Sequence, residues 1–154
     1  MFRVKASEVH VRIPMTAAIV VAALVAAFAL SAAAVSPSAL TPATVVRHLT
    51  GTERFWFSID FADLDVTWPW TDDDLHSNFR IEPGETLATI VADYVEECAR
   101  SRSAVADSHL DDAARGEGMD FTLRYAMIHM IQETARHCGH LDLLRETTDG
   151  AVGM

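Results

Sequence analysis

Along this chain apolar residues recur in two different ways. Residues 13–46 carry no charged side chain, and residues 17–30 consist entirely of Ala, Val, Ile, Leu and Phe. From Thr41 a spacing of three and four takes over. Thr41, Val45, His48, Thr52, Phe55 and Ile59 share one face, which predicts a helix over residues 41–59. Its start is marked twice: Thr41 can cap the first amide groups, and Pro42 at the first helical position has no amide hydrogen to leave unpaired. Residues 60–84, DFADLDVTWPWTDDDLHSNFRIEPG, show neither helical nor strand period and predict a long ordered loop. Periodicity returns in residues 85–107, where Leu87, Ile90, Val91, Tyr94, Val95 and Cys98 predict an amphipathic helix. The run DDAARGEG ends it. A last helix is expected to start near Asp120 or Thr122 and to stop before Asp149 and Gly150, where glycine can take the left-handed terminating conformation.

The uncharged first third admits three readings. A basic start with Arg3, Lys5 and Arg12, an apolar run and the small residues SAAAV match a secretory signal, although Glu8 interrupts the basic region. Residues 15–35 are long enough to span a bilayer. An Ala-rich first helix, buried on most sides, fits as well. Counting that helix, the expected fold is all-α, a four-helix bundle with a long loop between its second and third helices. The division expected is an apolar segment over residues 1–36 and a bundle over residues 37–154.

Composition then narrows the function. A chain of 154 residues, half of them apolar, forms one domain with a sizeable core. Its net charge of -10, with no local basic patch, argues against nucleic acid as a partner. Cys98 and Cys138 are far apart and fit no zinc-finger spacing, so both are expected as reduced, partly buried thiols.

The seam of the last helix carries the chemistry. The three-four spacing selects Leu123, Ala126, Met130, Glu133, His137, His140 and Leu144, apolar at its ends and ionisable in its middle. The helix over residues 41–59 also has a histidine, His48, on its apolar face. Charged groups are costly to bury unless paired or bound to a metal, so a divalent ion shared by the two helices is the economical explanation. Glu133 and His137, four apart, lie on one face within about 6 Å at their Cβ atoms. His48 completes a two-histidine, one-carboxylate set that leaves coordination positions open. His140 is expected beside the ligands as an orienting or proton-handling residue, with exchange for Glu133 as the alternative. His129 can extend the row or face a neighbouring helix. The plainer alternative is a boundary histidine at His48 and a surface pairing of Glu133 with Arg136 or Arg54. Cys138 points about 100° away from His137 and is expected to pack rather than bind. Trp56 is expected in the core, and Trp68 and Trp70 in the core or as a lid over the cleft. Arg54 and Arg145 are either anchors for an anionic substrate or ordinary inter-helix arginines.

VVRHLTGTERFWF, PWTDDD, EPGETLATIVADYVEECARS and LRYAMIHMIQETARHCGHLDLLRETTDGAVG together resemble the actinobacterial branch of the DinB-like superfamily, over roughly residues 37–153. That superfamily also contains mycothiol-dependent maleylpyruvate isomerases and bacillithiol transferases. The resemblance implies an up-down-down-up four-helix bundle with a divalent metal held by a histidine of the second helix and two ligands four apart on the last. Carried onto this chain, these are His48, Glu133 and His137, with His140 just after the final ligand. It further implies zinc first, with nickel or iron as alternatives, mycothiol as cosubstrate, and transfer of a low-molecular-weight thiol to a small electrophile or a thiol-assisted isomerisation. The competing function is a non-catalytic metal-binding bundle with a stress-related binding role, with or without a membrane tether through residues 15–35. A cytoplasmic location is expected, with membrane anchoring and a homodimer left open. The departure from the resemblance lies at the front, where members usually carry a charged amphipathic first helix.

Overall fold

The computed structural model describes residues 40–152, and the readings of residues 1–36 as buried helix, membrane anchor or signal fall outside that span. Three long helices, numbered here over the described residues, and two short irregular ones make up the fold. Helix α1 spans Pro42–Glu53 and opens on a reciprocal cap: Thr41 Oγ1 accepts from the Thr44 amide, and Thr44 Oγ1 accepts from the Thr41 amide. The chain then widens into a π-helical stretch, Arg54–Phe61, instead of stopping at Ile59. The wider turn moves the inward face off the three-four spacing. Thr52 and Ile59 of the expected face are buried, but Phe57 and Phe61 join them and Phe55 stays half-exposed. The last carbonyls of this stretch are met by a later loop, with Arg115 N–H donating to Phe61 O and Gly116 N–H to Asp60 O, both at 3.0 Å. A Cβ at Gly116 would sit 2.8 Å from that Asp60 oxygen, so the contact requires glycine.

The long loop follows, interrupted by a single 3₁₀ turn, Ser77–Phe79. Helix α2 spans Leu87–Ala104 with the same threonine cap, Thr86 and Thr89. Helix α3 spans Leu123–Asp149, preceded by Thr122 and closed by Gly150 at φ +73°. The start follows Thr122, although its side chain makes no capping hydrogen bond, and the helix runs one residue further than expected, through Asp149 to the left-handed Gly150. On α2 the inward face differs from its apolar stripe. Ile90, Tyr94 and Cys98 are buried as expected, but Val95 is exposed, and Glu97 and Ser101 are buried.

Two apolar clusters result. Val45, Val46, Leu49, Ile90, Tyr94, Cys98, Leu141 and Leu144 join all three helices, with Cys138 packed against them. Phe57, Phe61, Val105, Leu123, Ala126 and Met130 form the second, with Trp56 against it. Fully burying an apolar side chain of this size stabilises by about 1.5–3 kcal/mol. Along α3 the buried positions read Leu123, Ala126 and Met130, then Glu133 and His137, then Leu141 and Leu144. The ionisable pair therefore lies between the two clusters. Among the described residues no helix is long and apolar enough to cross a membrane.

Candidate metal centre

At that gap α1 and α3 bring three side chains together. His48 Nε2 lies 3.2 Å and His137 Nε2 3.1 Å from the same oxygen, Glu133 Oε1. One ligand atom from each residue falls within 4.8 Å of the others. Glu133 and His137 are buried and His48 is half-buried. The four-residue spacing on α3 sets one side of the group, and the register of α1 brings His48 opposite.

The surroundings favour the protonation states that ligands need. Burial pushes the Glu133 carboxyl up, but the hydrogen bond from His48 and the charges of His137 and Arg136 outweigh it, leaving it below the usual carboxylate range. Burial, followed by the nearby charge of His48, lowers His137 below an ordinary imidazole. At neutral pH the group is thus a carboxylate with a neutral imidazole on its own helix. The outer Glu133 oxygen, Oε2, pairs with the exposed Arg136 at 3.1 Å.

Neighbouring groups orient the rings. His140 Nδ1 lies 3.3 Å from His137 Nδ1. His48 is held from the long loop: Asn78 Nδ2 lies 3.1 Å from its Nδ1, and the Phe79 ring stacks on it at 4.1 Å between centroids. Thr52 Oγ1, one turn along α1, lies 3.4 Å from His48 Nε2. Neither Asn78 nor Phe79 was legible as a site residue, because both lie in a loop without period. The nearest signal was the loop's length itself.

The remaining candidates separate cleanly. His129 packs on Trp56 with the rings tilted, 4.3 Å between centroids, and is not among the three grouped residues. Trp68 and Trp70 pack on Phe55, with Trp70 at 4.8 Å. Trp68 also lines a polar cleft of about 200 Å³ with Arg47, Arg54, Asn78, Arg80 and Glu85. The arginines of that cleft are already paired, Arg47 with Glu85 and Asp93, Arg54 with Glu97, and Arg80 with Asp74. Arg145 pairs with Asp149 along its own helix. Burial, followed by the charge of Glu53, pushes the Cys98 thiol up to about 12, and burial also raises Cys138, so neither is an activated nucleophile.

Two histidines, one carboxylate and no reactive thiol of the chain's own match the donor set of a hydrolytic or thiol-activating metal site. Neither a curated protein nor a solved structure matches the chain significantly. A protein-family model described as mycothiol-S-transferase does, over residues 25–150. On that match, which takes in all three grouped residues, the chain belongs to the mycothiol-S-transferase family.

Proposed function

We propose that the chain is a divalent-metal-dependent thiol transferase, with His48, Glu133 and His137 as the ligands and zinc as the first choice of ion. The observation that carries this is the convergence of two imidazole nitrogens on one ionised carboxylate oxygen between two apolar clusters. A bound divalent ion would supply Lewis acidity, lowering the proton affinity of a thiol so that its thiolate is available near neutral pH. The family points to mycothiol as that thiol, and a small electrophile accepts its sulfur.

The chain's own residues do the rest. Glu133 contributes the negative charge of the set, held ionised by the histidines and Arg136. His140 accepts at Nδ1 from the Nδ1–H of His137, which leaves the Nε2 lone pair of His137 for the ion, and the proton that the thiol gives up passes to water. Sulfur then bonds to the electrophilic carbon. In a transfer a leaving group departs with its electron pair, and in an addition the proton returns to the product. Neither cysteine competes for the electrophile, because both thiols are held protonated. The same reading takes the bundle to four helices, with the apolar stretch as the first. The family match begins inside that stretch, and α3 leaves Tyr125, Ile128 and Ile131 exposed.

The test is consumption of mycothiol with a chromogenic electrophile by wild type and by His48→Ala, each assayed for bound metal. Transfer by the wild type alone, with metal lost in the variant, is the expected result. Bound metal in the wild type without any transfer over a panel of electrophiles would move the protein to the non-catalytic reading.

A further inference from the structure

Among the described residues, the Asn78 side chain makes its hydrogen bond to His48. Its side chain is 6% exposed, its Nδ2 lies 3.1 Å from His48 Nδ1, and its Oδ1 is buried without a hydrogen-bond partner. The next residue, Phe79, stacks on the same imidazole at an interplanar angle of 12°. The approach is close enough to constrain α1. A Cβ at Gly51 would sit 2.9 Å from Pro69 Cβ and 3.3 Å from Asn78 Cβ, so glycine at this position lets the loop reach the histidine.

A neutral imidazole carries one N–H. With Asn78 Nδ2 donating to Nδ1, that hydrogen is on Nε2, directed at Glu133 Oε1 3.2 Å away. Ligation through Nε2 needs the other tautomer, with a lone pair on Nε2 and the hydrogen on Nδ1. A primary amide can serve both. Turning it by about 180° replaces the donor facing Nδ1 by an acceptor. No other hydrogen bond is broken by the turn, because Oδ1 has none. An aliphatic residue could satisfy neither tautomer, and a carboxylate only the ligating one.

We infer that Asn78 is a positioning residue for His48, its amide donating to Nδ1 in the metal-free protein and turning to accept from Nδ1–H when Nε2 takes a metal. This rests on His48 being a ligand, as proposed above. It adds a residue of the long loop to the site and gives the 3₁₀ turn a task.

The experiment uses the full chain labelled with ¹⁵N, about two pH units above the ordinary imidazole value. Long-range ¹H–¹⁵N spectra read the His48 tautomer, and competition with a chromogenic chelator reads zinc affinity. The wild type should carry Nε2–H without metal and Nδ1–H with zinc. Asn78→Asp should hold Nδ1–H even without metal and bind zinc at least as tightly as wild type. Asn78→Ala, checked for an unchanged circular dichroism spectrum, should bind zinc about 10–100-fold more weakly. Wild-type affinity in Asn78→Ala, or an equal loss in Asn78→Asp and Asn78→Ala, overturns the inference and leaves the ligand reading standing. A wild type that takes up no zinc overturns both.

Discussion

Glu133 and Glu97 are both acids on inward helix faces, 8% and 1% exposed, yet they are compensated by different chemistry. Glu97 is closed off by cations. Arg54 reaches its Oε2 with both Nε and Nη2 at 2.9 Å, Arg100 adds a second guanidinium, and Ser58 Oγ donates to Oε1 at 3.4 Å. None of the guanidinium nitrogens has a lone pair to offer an ion. Glu133 instead faces two imidazoles, whose nitrogens can exchange a hydrogen for a lone pair, and its one guanidinium, Arg136, is mostly in solvent. A buried acid is therefore a structural bolt or a candidate ligand according to what stands around it. Burial alone does not distinguish the two.

That contrast predicts opposite consequences for substitutions at the two places. The largest effect is expected at the imidazoles: His137→Ala should weaken zinc binding by more than about 100-fold, read by chelator competition, because a three-residue set loses a ligand. Arg54→Met should leave metal binding unchanged and lower stability by about 3 kcal/mol in urea unfolding, since it strips one partner from a carboxylate that stays buried. An equal loss of metal in both variants would erase the distinction.

The smallest effect is expected at Glu53, beside the Glu97 network, whose Oε1 takes the Cys98 thiol at 3.6 Å and whose carboxyl also meets Ser101. Burial raises its carboxyl, and the charge of Glu97 adds to that. A folded value above the unfolded one makes this contribution to stability full below about pH 4.5 and lost as pH rises through the folded value. Glu53→Gln has no such loss. Compared with wild type, it should gain in urea midpoint between about pH 5 and about pH 8. A constant difference over that range would show that Glu53 ionises normally.

Helix ends were the most legible part of the fold. Thr41 with Pro42 at the start of α1, and Gly150 at the end of α3, act through local chemistry that neighbouring residues alone determine, whereas Thr122 stands at the N-cap without a side-chain hydrogen bond. The grouping of three side chains was legible for a related reason, since Glu133 and His137 share a face by helical arithmetic and His48 interrupts an apolar stripe. The π-helical turn was not, because the wide turn at Arg54–Phe61 depends on the loop that caps it, some 55 residues downstream by the Asp60 to Gly116 contact. Glu97 was also hidden, as its burial depends on Arg54 from another helix. Asn78 and Phe79 came from a segment with no period, so their convergence on His48 is a purely tertiary fact.

The central claim is that the group of His48, Glu133 and His137 holds a divalent ion. Elemental analysis of the full chain, purified without chelator and then titrated with zinc after stripping, tests it most directly. About one divalent ion per chain, regained on titration and absent from His48→Ala, is the result expected. A stripped protein that stays folded and takes up neither zinc, nickel nor iron would contradict it, leaving the three residues as a hydrogen-bonded cluster.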